Sequence, residues 1–205
     1  MPATTVPHQV CNLALSYVGN GQAINSLEEN TLEAKQSKIH YGPTRDELLE
    51  GFPWRFATRR AVLAPLAETR TGWEFVYALP ADFLAPQYIW SGERRPRPED
   101  EIPFQLEALG SGTNPSGLCL LTDQPEAELI YTAECPAVAL WTPTFVQAVA
   151  WALAVKLALV VPVKPQLAAL ADGKALTALK KARAAQLNGQ HVDREPSSSI
   201  TASRG

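Results

Sequence analysis

Cysteine, histidine and charge are all scarce in this chain. Its 205 residues include three cysteines, Cys11, Cys119 and Cys135, odd in number and in no CxxC spacing. That argues against a disulfide framework and a cysteine zinc site, and it fits buried thiols in a reducing compartment. The three histidines, His8, His40 and His191, sit in different segments with no cysteine or carboxylate at ligand spacing, so no metal is expected. There is no GxSxG nucleophile motif, and Gly19-Asn20-Gly21 lacks the preceding strand and third glycine of a dinucleotide loop; no cofactor is expected. Charged residues make up 19% of the chain, below the typical share of about 25%, which hints at large interfaces. A net charge of −3 excludes a generally basic chain of the kind that grips duplex DNA through many phosphates.

Long apolar runs are also few. The N-terminus MPATTVPHQV has no basic region followed by an apolar stretch, so no secretion signal is read there. Residues 143–163 are interrupted among strongly polar types only by Gln147 and Lys156. Yet the run is rich in alanine and has no aromatic belt or basic flank, so a helix buried all round in protein is expected rather than a membrane span.

What is present is ordered. Val6, Val10, Leu13, Ala14, Tyr17 and Val18 follow helical spacing, with Pro7 in the first turn and Gly19 to Gly21 as the stop. Ser26-Leu27-Glu28-Glu29 has the form of a capping box and predicts a second helix starting there. Its inner face runs Ala34, Ser37, Tyr41, Arg45, Leu48, Phe52, with Gly42-Pro43 predicting a kink or a restart. A shorter helical piece is expected over 54–63. From Gly72 the period becomes two, and strands are expected at 73–79, 84–90, 102–108, 118–121 and 129–132. Thr142-Pro143 opens another helix expected to reach Val161, where Pro162 ends it. A last helix from Pro165 to Asn188 points Leu167, Leu170, Ala171, Ala175, Leu179 and Ala182 inward, with Lys174, Lys180, Lys181 and Arg183 largely on other faces.

The expected fold is therefore α+β: a helical bundle of N- and C-terminal helices with a small antiparallel β subdomain inserted between them. Residues 1–66 and 137–190 form the helical domain, 67–136 the β subdomain, and 191–205 an extended C-terminal arm. Trp54, Phe56, Trp73 and Trp151 are expected in the core. The arm is polar and serine-rich; alone it has too little apolar surface to offset its ordering entropy. It reads either as a disordered end or as a segment that orders on a partner.

Carboxylates are the catalytic candidates, because glycosidic cleavage needs only two. Glu28 and Glu29 are accounted for by capping, and Asp46 and Glu47 read as a solvated helix face. The cluster Arg94, Arg95, Arg97 is followed by Glu99, Asp100 and Glu101, a mixture that neutralises itself rather than a DNA patch.

Read as a whole, the chain resembles the head-to-tail adaptor proteins of short-tailed bacteriophages, a family that includes tail accessory factors and tail tubular proteins of the A type. The resembling residues are Ala14-Leu15, Val18-Gly19, Ile24-Asn25-Ser26-Leu27-Glu28-Glu29, Ala34, Tyr41, Arg45-Asp46-Glu47-Leu48-Leu49 and Pro53-Trp54-Arg55-Phe56-Ala57. Gly72-Trp73-Glu74-Phe75-Val76-Tyr77, Leu79-Pro80-Ala81-Asp82, Thr122-Asp123, Leu129-Ile130-Tyr131 and the alanine-rich helical pair after Trp141 follow in order, spanning most of 8–187. The chain departs from the pattern at Gly42-Pro43.

The resemblance implies a structural protein of the virion, made in the host cytoplasm and assembled at the head-tail junction. It implies a ring, twelve-fold in this family, with the portal protein on one face and a tail nozzle or tail tube on the other; DNA passes through without sequence-specific binding. Val192, Arg194 and Ile200 are then expected against the portal or an adjacent subunit. Arg45, Arg55, Arg59 and Arg60 are candidates for bridging subunits, or else are solvated charges. The low charge and the apolar helix fit a subunit flanked by copies of itself, or simply the centre of a monomeric core. The rival readings are a tail-associated, carboxylate-dependent peptidoglycan hydrolase and a membrane-perforating protein that uses 143–163.

Overall fold

Local signals start each of the four α-helices among the described residues, which in this computed structural model are 6–92, 101–110 and 117–188. Helix α1, Pro7–Tyr17, begins with proline at its first position, where the missing N–H costs nothing. It stops at Gly19, which adopts φ +75°, a conformation glycine takes without strain. Helix α2, Leu32–Glu50, is capped by Thr31, whose hydroxyl accepts from the Ala34 amide at 3.2 Å.

The start expected at Ser26 is corrected by this. Glu29 accepts from the Asn25 and Ser26 amides at 2.7 and 3.0 Å, and Ser26 Oγ accepts from the Glu28 amide at 3.1 Å. These side chains close a turn on themselves and the helix begins beyond it, because the bonds that cap a helix also stabilise an isolated turn. Helix α2 runs through Pro43 without restarting. Pro43 lies on the exposed face and Ile39 is 59% exposed, so the carbonyl that loses its donor can turn to water.

A larger correction concerns 54–63. Instead of a helix, Trp54 to Ala57 make a turn and strand β1, Thr58–Val62, follows, then β2, Ala64–Pro65. The sheet region thus begins inside the stretch assigned to the helical domain. The remaining strands are β3 Phe75–Ala78, β4 Phe83–Ile89, β5 Gln105–Leu109, β6 Gly117–Thr122 and β7 Glu128–Ala133. They form two antiparallel sheets, ordered β1-β7-β4 and β2-β3-β6-β5. Both sheets face one core: Tyr77 and Leu120 from the second pack with Leu129 and Tyr131 from the first. The alternation read at β3 is only partial, since Val76 and Tyr77 are both buried, Val76 in a smaller cluster with Cys119 and Leu121.

Helix α3, Pro143–Leu157, is capped by Thr142 as expected. It ends four residues before Val161: the Val160 and Val161 amides close a last turn on Leu157 O, since a residue before proline disfavours the helical region. Helix α4, Pro165–Asn188, completes the fold. The helical core joins Val10, Ala14, Trp54, Phe145, Leu153 and Ala182 around α3. The architecture is α+β, with helices from both ends of the chain flanking a small β region.

Candidate partner-binding groove

Trp54 is 0% exposed, and its indole Nε1 donates to Leu48 O at 2.8 Å. Its ring centroid lies 4.7 Å from Phe145, 4.9 Å from Phe52 and 5.9 Å from Phe56. Pro53-Trp54-Arg55-Phe56 therefore joins α2 to the sheet through an aromatic hub. Phe56 is half-buried against that core. Trp73 and Trp151, expected in the core, are both half-buried. Trp73 packs on the small Val76 cluster, and Trp151 packs against the helical core with part of its ring at the surface.

The reason is on α3, which is not apolar all round. Gln147 is exposed and Trp151 half-exposed one turn later, so they share a face. This face opens on a groove of about 430 Å³ between α3 and α4. Trp151 stacks on Tyr17 of α1 at 4.0 Å with 15° between the planes, and the Tyr17 hydroxyl donates to Gln147 Oε1. Desolvation pushes the Tyr17 hydroxyl pKa upward, keeping it a donor. Across the groove, α4 supplies Thr177, Ala178, Lys174 and Lys181. The two lysines are seven residues apart, about 10 Å along the helix, and neither has an ion-pair partner among the described residues. A fixed aromatic floor with two uncommitted ammonium groups suits a segment carrying an apolar side chain and carboxylates. Its lining contains no thiol, carboxylate or imidazole.

Sequence reasoning missed this groove. Sequence periodicity places Lys174 and Lys181 largely on faces other than the inner one and takes Gln147 as an interruption of an apolar run; the Gln147–Trp151 spacing is the available signal. Leu170, expected inward, is 57% exposed, and Leu176 and Leu187 are 55% and 52% exposed, while Ala171 and Ala182 are buried. Small residues let α4 approach closely and leave Leu170, Leu176 and Leu187 outside, while Leu179, expected inward, packs half-buried against the helical core. Arg183 is instead tucked in, donating to Gly51 O at 3.0 Å and lying over Phe52.

Each proposed bridging arginine except Arg55, which is exposed, has a partner within the chain that can be named. Arg45 pairs bidentately with Asp46 at 2.7 and 3.0 Å. Arg59 pairs with Asp82, which also accepts from the Tyr131 hydroxyl at 2.9 Å. Arg60 pairs with Glu128 and lies 4.5 Å over the Trp90 ring, and its hydrogen bond holds the Glu128 carboxyl below the usual range. Successive residues of a strand point to opposite faces, so Arg59 and Arg60 are not brought together. Val192, Arg194 and Ile200 lie outside the described residues, as do Arg94, Arg95, Arg97, Glu99 and Asp100.

The four candidate carboxylates are likewise engaged. Glu28 pairs with Lys38 at 2.6 Å, Glu29 closes its turn, Asp46 holds Arg45, and Glu47 ties α2 to α3 through Lys156 at 2.7 Å. None of the four lines the α3–α4 groove. Among the described residues no group of three His, Cys, Asp or Glu side chains is placed to hold a metal ion, and no helix is long and apolar enough to cross a membrane.

All three cysteines are free and buried. Desolvation pushes the Cys11 thiol up to about 12, and burial also raises Cys119 and Cys135. Because the thiolate is the nucleophile, iodoacetamide at pH 8 will leave all three unlabelled in the native protein and label all three in guanidinium. Rapid native labelling of Cys11 would contradict its burial.

The chain matches no family model and no curated protein.

Proposed function

We propose that this chain is a non-catalytic structural adaptor of a phage virion, a ring subunit that joins the portal to the tail nozzle or tube and extends the DNA channel. The observation that carries the reading is the apolar surface left open along α4 and at its approach from α3. Leu159 is 84% exposed, and Leu170, Leu176 and Leu187 each exceed one half. In this reading the exposed leucines that share a face of α4 meet another protein. Leu176 and Leu187 are eleven residues apart, three helical turns, and so lie on one face.

The ordered resemblance, taken as a set, supports the same reading, and one of its pieces, Pro53 to Ala57, forms the aromatic hub that sets α2 against the sheet. The engaged carboxylates favour an adaptor over a carboxylate hydrolase. A near-neutral chain suits a channel wall, since a strongly basic one would hold the phosphates. In this reading twelve copies close the ring through heterologous contacts, and residues 191–205, with Val192, Arg194 and Ile200, reach the portal or an adjacent copy.

The double substitution Leu176→Asp and Leu187→Asp tests this. Both positions are exposed, so melting temperature and circular dichroism should stay near those of the parent chain. Co-sedimentation with the portal should fall at least about tenfold, as burying two carboxylates in an apolar contact costs several kcal/mol. Undiminished co-sedimentation would remove α4 from the assembly surface.

A further inference from the structure

A second cavity, about 520 Å³, lies where the loop after α1 meets the start of α2 and the α3–α4 connection, bounded by residues 19–22, Glu33 and 162–164. Asn20 organises it. Its Nδ2 donates to Glu33 Oε1 and to Pro162 O, each at 3.1 Å, and its Oδ1 accepts from the Gln22 amide at 2.8 Å. Glu33 is only 9% exposed. Its second oxygen has no hydrogen-bond or ion-pair partner among the described residues, and Glu33 lines the cavity.

The carbonyls of Gly19, Asn20 and Gly21 also accept no hydrogen bond among the described residues. Lys164 supplies the rim. Its amide donates to Val18 O at 2.9 Å, and its stem covers Gly19 so closely that a Cβ there would come within 2.8 Å of Lys164 Cδ. Its ammonium makes no ion pair with Glu33.

We infer that this cavity receives an arginine side chain presented by a partner protein, its guanidinium set on the free oxygen of Glu33 and on the loop carbonyls. Glu33 stands in the first turn of α2, where the helix N-terminus favours its negative charge, and no cation of the described chain pairs with it, so a cation from outside can bond there. The choice of arginine follows from the acceptor set. A carboxylate oxygen and a lining loop whose carbonyls make no bond within the described chain suit a flat group with five donors better than an ammonium with three. The floor is rigid because Asn20 ties three chain segments together, so little ordering entropy is lost when the guest enters. This assignment does not depend on the adaptor reading.

The probe is Nα-acetyl-arginine amide titrated into the full chain, read from the amide chemical shifts of Asn20, Gly21, Gln22 and Glu33. Saturable shifts at these positions are expected. The neutral near-isostere Nα-acetyl-citrulline amide should bind at least about tenfold more weakly, and Glu33→Gln should weaken the arginine probe to the same degree, the size of one charge-assisted hydrogen bond. Lys164→Met removes the rim cation and should tighten binding. The inference is overturned by the absence of saturable shifts, by equal binding of citrulline, which needs no variant to fold, by equal binding of Nα-acetyl-lysine amide, or by weaker binding to Lys164→Met.

Discussion

Replacing Trp54 with alanine will lower the unfolding free energy by roughly 3 to 5 kcal/mol, the largest single effect expected in the helical half. Three losses coincide. The side chain is fully buried, so its removal leaves a cavity bordered by Phe52, Phe56 and Phe145. Edge-to-face contact with Phe145 at 4.7 Å disappears. Leu48 O loses the indole donor near the end of α2. Urea unfolding followed by circular dichroism measures the change in midpoint. If assembly with the portal were lost while the midpoint stayed put, Trp54 would be an interface residue instead.

Leu129→Ala will cost about 2 to 5 kcal/mol, from the opposite side of the molecule. Leu129 is 0% exposed on β7, the central strand of its sheet, which pairs with β1 on one side and β4 on the other. It packs with Leu63, Tyr77, Leu120 and Tyr131, drawn from both sheets. A cavity there loosens both sheets at once, and β1 runs directly into the Trp54 hub. The two sites share no buried neighbour, Trp54 belonging to the helical cluster and Leu129 to the sheet cluster, so their effects should add within a few tenths of a kcal/mol. A Leu129→Ala loss below about 1 kcal/mol would mean that the sheet core is looser than its burial indicates.

The parts of the fold legible in the sequence are those fixed by short-range chemistry. Pro7, Gly19, Thr142-Pro143 and Pro165 carry their helix boundaries within one turn of chain, and α1, α3 and α4 begin at the prolines among them. Strand β1 was hidden because its state is set by a partner far along the chain: Thr58 to Val62 pair with Glu128 to Thr132. Its five residues fit a helix as well as a strand until β7 is present. Ser26 to Glu29 misled for the opposite reason, a local motif complete in itself that the chain uses as a turn.

The groove was illegible because no segment contains it. Tyr17, Gln147, Trp151 and the two lysines come from α1, α3 and α4. Only the packing of α4 through Ala171 and Ala182 brings them to one place. The same close packing puts Leu170, Leu176 and Leu187 outside, where hydrophobic periodicity alone had turned Leu170 inward. Glu33 is similar: its partner Asn20 comes from another segment and bonds at the same time to Pro162 O of a third.

Native mass measurement of the protein alone and mixed with the portal protein that the adaptor reading assigns to it tests that reading most directly. Subunits held by two heterologous contacts and completed on the portal should give mainly the 22.3 kDa monomer alone, and in the mixture a single large species carrying twelve copies per portal ring. A mixture showing only free monomer and unaltered portal, at concentrations well above those of assembly, would contradict it.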